Sequence, residues 1–169
     1  MNLAIDIYYH DKGATCVGVL FEWEDAAPSK VIRAYLDEVE EYVPGEFYKR
    51  ELPCVMAVIY QVKQFKVDCI VLDGHVQLGD GQKGLGEYVY QAVDEMYPVI
   101  GVAKSSFHGN AEYVREVRRG ESENPLYVSA IGCDLDEAAE YIQNMHGAHR
   151  IPTLLKEVDR LGRRFDTSA

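Results

Sequence analysis

The sequence predicts an α/β layer fold built on a mixed sheet. Three observations predict it. Three β-rich stretches joined by short turns open the chain, and from Pro53 onward helical apolar spacing alternates with short, wholly apolar runs. The length of 169 residues and the 47% apolar content suit one domain, residues 1–169, around a single core.

The first strand runs from Leu3 to Tyr9, apolar except for one acid. Asp11-Lys12-Gly13 turns into a second strand, Thr15 to Trp23, and the stretch from Asp25 to Lys30 with Pro28 turns into a third, Val31 to about Val39. Short turns between them make an antiparallel meander. Val55, Val58, Ile59 and Val62 then form a helical stripe over Pro53–Phe65, with Pro53 in the first turn. Asp68 to Leu72 reads as a buried strand, Leu85 to Met96 as a helix, Val99 to Ala103 as a second buried strand and Leu126 to Ala130 as another. The meander is thus followed by parallel strands flanked by helices. Asp134 opens a helix that Gly147 stops, and a last helix spans about Thr153 to Leu161. The polar segment Phe107 to Asn124 reads as a mobile excursion from this framework.

Composition removes several classes of function. No apolar run approaches the roughly 18 residues of a membrane span. The N-terminus lacks a basic lead and carries an acid in its apolar stretch, so it does not read as a signal peptide. Cys16, Cys54, Cys69 and Cys133 lie far apart, each in or beside an apolar run, which predicts reduced core thiols and a cytoplasmic protein. Seventeen basic against 28 acidic residues give a net charge of -11. A protein so acidic does not hold nucleic acid by overall charge; a polyanion has to be gripped locally or through metal ions.

Two acids and one lysine stand where charge is expensive. Asp6 sits between Ile5 and Ile7, and Asp73 ends the apolar run Cys69-Ile70-Val71-Leu72. A buried carboxylate needs a cation, a proton or a hydrogen-bond network. Either acid alone reads as a satisfied structural carboxylate. Two of them, at a strand centre and a strand end close in a sheet, repel unless a divalent cation lies between them, and hard oxygen ligands suit magnesium or manganese. Lys104 ends Val99-Ile100-Gly101-Val102-Ala103 in the same way. It is either a snorkelling structural lysine or a cation placed to neutralise a phosphate.

In chain order, the sequence carries Ile5-Asp6-Ile7, Tyr42-Val43-Pro44-Gly45 followed by Arg50-Glu51, Leu72-Asp73-Gly74-His75, Ile100-Gly101-Val102-Ala103-Lys104-Ser105, Asn124-Pro125-Leu126-Tyr127-Val128, and Arg150-Ile151-Pro152 leading to Asp159. This set resembles the endonuclease V family over nearly the whole chain. The resemblance implies a ribonuclease H-like fold and a magnesium-dependent nuclease that cuts DNA or RNA near deaminated bases, chiefly inosine. By position, Asp6, Glu51 and Asp73 match the family's metal-site acids, Lys104 its active-site lysine, and Asp159 its acidic or histidine position on the late helix. Tyr42, Val43 and Pro44 match the wedge that fills the gap left by a displaced base. Gly45, Phe47, Gly74 and Gly101 fall where the family lines its base pocket.

The chain also departs from that pattern. After Asp73-Gly74-His75 the family has a His-Pro-Arg-Arg stretch; here Gly79-Asp80-Gly81-Gln82 stands in its place. The Gly-His-Arg after the Asn124-to-Val128 stretch is replaced around Gly132-Cys133, the wedge is preceded by Glu41 in place of proline, and the chain opens directly on the first strand. Metal-site acids are kept while basic substrate contacts are lost. The alternative is therefore a non-catalytic endonuclease V-like binding protein, or a nuclease of altered specificity. Gly79 to Gly84 also fits G-x-G-x-x-G, but it starts several residues beyond its strand, so a flexible loop is the better expectation than a dinucleotide site. His146 and His149 lack the company of a zinc site. Arg150, Lys156, Arg160, Arg163 and Arg164, with Arg115, Arg118 and Arg119, either solvate and cap helix ends or form the local cationic grip.

Overall fold

The computed structural model describes residues 1–41, 43, 44, 46 and 48–166, with side chains described as far as Arg163. The chain runs β1 (Asn2–His10), β2 (Gly13–Phe21), β3 (Lys30–Leu36), α1 (Tyr48–Tyr60), β4 (Cys69–Asp73), a hairpin of β5 (Gln77–Gly79) and β6 (Gln82–Lys83), α2 (Leu85–Ala92), β7 (Val99–Ala103), a 3-10 turn (Ala111–Tyr113), β8 (Arg115–Val117), β9 (Leu126–Ile131), α3 (Leu135–Gln143) and α4 (Thr153–Asp166). Seven strands form one sheet in the order β3-β2-β1-β4-β7-β9-β8. The first three make the expected antiparallel meander, and β1, β4 and β7 are mutually parallel neighbours. β9 then returns antiparallel to β7, with β8 antiparallel at its outer edge.

Period-two alternation splits the core between the two faces of the sheet. Leu3, Ile5, Cys16, Leu20, Ile70 and Leu72 face Val55, Val58 and Ile59 of α1 and Leu85 and Val89 of α2. Ala4, Val17, Val19, Phe21, Val71, Ile100, Val102 and Val128 face Ala138 and Ile142 of α3 and Leu154, Val158 and Leu161 of α4. Leu3, Leu20, Phe21 and Ile70 are all fully buried, each worth about 1.5–3 kcal/mol relative to exposure.

Several boundaries differ from the sequence expectation. α1 begins at Tyr48, not Pro53, because its apolar stripe extends back through Leu52 and Tyr48, both packed on the core. Pro53 therefore lies inside the helix, and Glu51 stands in the first helical turn. α2 stops at Ala92, where Asp94 and Glu95 turn the chain at φ 54° and 60°. α3 ends at Gln143, ahead of Gly147, and starts as expected: the Asp134 carboxylate accepts the Glu137 N–H at 3.0 Å.

The 107–124 segment is a structured part of the fold. It supplies β8 and the buried Arg119, whose guanidinium donates to the carbonyls of Gln143, Met145, Gly147, His149 and Arg150. The glycine-rich run Gly79–Gly84 forms the β5–β6 hairpin, turning at Gly81 with φ 73°. Cys16, Cys54 and Cys69 are free and buried as expected, whereas Cys133, just past Gly132 in the turn after β9, is free and exposed. No described helix is long and apolar enough to cross a membrane.

Candidate active site

The same alternation that builds the core delivers three charged side chains to one place. Ala4 and Val71 point toward α4, so Asp6 and Asp73, two residues further along β1 and β4, point the same way. The strands pair in parallel up to Ile5 with Leu72, which puts Asp6 and Asp73 one register step beyond, side by side at the carboxyl edge. Lys104 follows Ile100 and Val102 in parity, just past the end of β7. From the opposite layer, α4 presents Asp159. Asp6, Asp73, Lys104, Lys156 and Asp159 thus ring the mouth of a cavity of about 180 Å³, whose walls include Ala4, Val71, Val102, Leu126 and Leu155.

Glu51 reaches this edge from the other side. It lines an adjoining cleft of about 140 Å³ with Asp6, Asp73, Ile7, Val55 and Leu85. Asp6 and Asp73 belong to both cavities, with Asp159 and Lys104 to one side and Glu51 to the other.

The electrostatics are those of a site holding more negative charge than it stabilises. Burial, a hydrogen bond shared with the Asp159 carboxyl and the charge of Asp73 push the Asp6 carboxyl up to about 7, against the pull of the Ile7 N–H donated to its Oδ1 at 3.0 Å. Burial and the charge of Asp73 likewise raise Glu51 to about 7, although the adjacent Arg50 guanidinium opposes this. Asp73 is paired with Lys104 at 3.6 Å, and Asp159 with Arg163 at 3.2 Å.

That charge pattern bears on whether a metal ion fits. All the donors are carboxylate oxygens, the kind magnesium and manganese select. The raised carboxyl of Asp6, beside Asp159 and Asp73, marks a place short of positive charge. Among the described residues, however, no three His, Cys, Asp or Glu side chains converge closely enough to form a ready-made metal-binding group. The site therefore fits a hard divalent cation in donor type and charge, with Asp6 and Asp73 as its base. A third carboxylate, Glu51 or Asp159, has to close on them.

The segment after Asp73 is held by groups that the sequence reading did not single out. Asn110, buried in the 107–124 segment, donates from Nδ2 to His75 Nδ1 at 3.1 Å and to the Gln77 carbonyl at 2.9 Å. His75 Nδ1 is thereby the acceptor, and Nε2–H donates to the Ser105 carbonyl at 3.0 Å. Ser129 Oγ accepts the Val76 N–H at 2.9 Å. A serine with no exposed surface in an apolar strand was the available clue; nothing distinguished Asn110 from its polar neighbours. Gly101 must be glycine, because a Cβ there would lie 2.4 Å from the Gly74 carbonyl and 2.8 Å from Ser129 Oγ. It is therefore covered by the Asp73–Val76 connection, while Gly74 itself, at φ 129°, faces open space.

Val43 and Pro44 are exposed. Tyr42, Gly45 and Phe47 lie outside the described residues. Of the basic residues considered as a grip, Arg119 is structural, and Arg150 donates to the carbonyls of Lys104 and Pro125 at 2.5 and 2.7 Å, which ties the Lys104 backbone to the start of β9. Arg115 pairs with Asp136, Arg118 donates to the Glu123 carbonyl and Arg160 pairs with Glu157.

Fold and site together define an α/β protein with an acidic centre at the carboxyl edge of a mixed sheet. A family model for endonuclease V matches residues 3–123, a span that contains Asp6, Glu51, Asp73 and Lys104. The chain belongs to the endonuclease V family, a family of nucleases. Asp159 lies beyond the matched span, and the fold brings it to the same edge. No curated protein sequence matches the chain. Among solved structures, a Ciona intestinalis endonuclease V in complex with DNA containing an inosine followed by a ribo-adenosine is 16% identical, with a TM-score of 0.81 over 96% of this chain and 83% of that one. Human ENDOV is 16% identical, with a TM-score of 0.78 over 99% and 85%. The Streptomyces avermitilis endonuclease V is 23% identical, with a TM-score of 0.71 over 99% and 82%.

Proposed function

We propose that this protein is a magnesium-dependent endonuclease, with manganese as a substitute ion, that hydrolyses phosphodiester bonds near deaminated bases, chiefly inosine, in DNA or RNA. It acts as one domain, residues 1–169, in the cytoplasm. The observation that carries the reading is the meeting of Asp6, midway along β1, with Asp73 at the end of neighbouring β4, with Asp159 and Lys104 around one cavity and Glu51 in the cleft beside it. The Ciona intestinalis enzyme, whose fold this chain shares, was captured on DNA containing inosine.

In this reading Asp6 and Asp73 hold the metal, and Glu51 or Asp159 completes its ligand set. A magnesium ion held there would supply Lewis acidity to the phosphodiester. Glu51, in the cleft beside Asp6 and Asp73, orients the attacking water. Lys104, held near Asp73 through its side chain and by Arg150 through its carbonyl, offsets charge growing on the phosphorus. Tyr42, Val43 and Pro44 fill the space left by the displaced base, and Gly45, Phe47 and Gly74 line its pocket. Gly101 supports that pocket from below, through the close approach of Gly74.

Gly81 and Gln82 of the β5–β6 hairpin stand where the family carries its paired arginines and Asp80 where it carries proline, and the Asp80 carboxylate is engaged by the Tyr113 hydroxyl. This favours weaker discrimination for inosine over a loss of the chemistry. The deciding experiment incubates the pure protein with single-stranded DNA and RNA oligonucleotides containing one inosine, in magnesium, manganese or EDTA. Cleavage near the inosine that EDTA and Asp73→Asn abolish supports the proposal. No cleavage of any such strand with either metal overturns it.

A further inference from the structure

Of the two lysines that line the 180 Å³ cavity, one is left without a partner. Lys104 is engaged by Asp73 at 3.6 Å and Arg163 by Asp159 at 3.2 Å. Arg150 spends its guanidinium on two carbonyls, and Arg160 pairs with Glu157 one helical turn back. Among the described residues, Lys156 is the basic side chain at this cavity that makes no hydrogen bond or ion pair of its own. It is exposed, and it precedes Asp159 by three positions on α4, so both side chains emerge on one helix face.

The surroundings suit an anion. The cavity is far larger than the roughly 10–15 Å³ a single water needs, and Leu126, Leu155 and Pro152 give it apolar walls beside Lys156. Beside apolar walls an ammonium–phosphate contact is less weakened by water than on an open surface. A chain of net charge -11 repels a polyanion everywhere except where a local cation offsets that field. We propose that Lys156 binds a phosphate of the substrate strand on the α4 side of the carboxylate cluster, acting in binding rather than in bond cleavage. This inference rests on the nuclease reading above and assigns a contact that the Asp6, Asp73 and Lys104 set does not contain.

The test compares wild type, Lys156→Gln, Lys156→Arg and the distant control Lys66→Gln on an inosine-containing single strand. Cleavage kinetics are measured in magnesium, and equilibrium binding is measured by fluorescence anisotropy in EDTA over a salt series. Expected for Lys156→Gln is an approximately tenfold rise in KM with kcat within about twofold, and a salt slope shallower by about 0.7. Lys156→Arg restores both, and Lys66→Gln matches wild type. Unchanged KM and slope in Lys156→Gln, or a fall in kcat with KM constant, overturns the assignment while leaving the nuclease reading in place. A wild type that binds the strand with the Lys156-dependent slope but never cuts it retains this inference and removes that reading. A wild type that binds no strand removes both.

Discussion

Asp6 and Asp73 stand one register step beyond the paired residues Ile5 and Leu72, so two parallel strands bring two carboxylates together on one side of one sheet edge. Asp6 is half-buried and Asp73 exposed at the rim, and each follows an apolar residue of the same parity that is buried against α4. Burial, the Asp159 carboxyl and then the charge of Asp73 push the Asp6 carboxyl above its usual range.

Asp6→Asn and Asp73→Asn keep the size of each side chain and remove the charge. Each is expected to lower cleavage by at least about 100-fold while leaving thermal stability of the metal-free protein unchanged or higher, since each relieves repulsion in the cluster. Initial rates and melting curves on the same preparations check this.

The raised carboxyls of Asp6 and Glu51 make stability depend on pH. Both titrate near 7 in the folded chain and about 4 when unfolded, so between those values the folded state binds more protons than the unfolded one. Stability of the metal-free protein therefore falls as pH rises from about 4 to about 7. Urea unfolding at pH 5 and pH 8 is expected to give the higher midpoint at pH 5, with the difference reduced in Asp6→Asn and by saturating magnesium.

Gly101→Ala places a methyl group 2.4 Å from the Gly74 carbonyl. Backbone has to move to relieve it, at about 1–3 kcal/mol. The movement displaces the Asp73–Val76 connection, so cleavage is expected to fall further than the loss of stability explains. Unfolding midpoints and kcat measured together separate the two effects.

Leu154 is almost fully buried on α4. Leu154→Ala is expected to cost about 2–5 kcal/mol, seen as a lowered urea midpoint. Because α4 carries Asp159 and Lys156, the same variant is expected to weaken metal and strand binding.

Much of this was legible in the chain. Asp6 and Asp73 were visible because a charge inside or at the end of an apolar run contradicts its surroundings, whereas their shared face rests on the β1–β4 register. The meander and the parallel strands followed from turn spacing and from runs too apolar to be half-exposed. Less was legible where local pattern and tertiary contact diverge. α1 starts before Pro53 because Tyr48 and Leu52 find packing partners the proline does not forbid. β8 and Arg119 sit in a segment whose polarity resembles a loop, yet the arginine is buried because five backbone carbonyls converge on it. The relation of Glu51 to the other acids depends on how a helix on one face meets the sheet edge, which no spacing encodes.

The most direct measurement is calorimetric titration of manganese into the wild-type protein and into Asp6→Asn, Asp73→Asn and the distant Asp68→Asn. Saturable binding by wild type and Asp68→Asn, lost or weakened at least tenfold in both site variants, is the expected result. Equal affinity in all four proteins, or no binding by the wild type, contradicts a shared divalent ion at this edge.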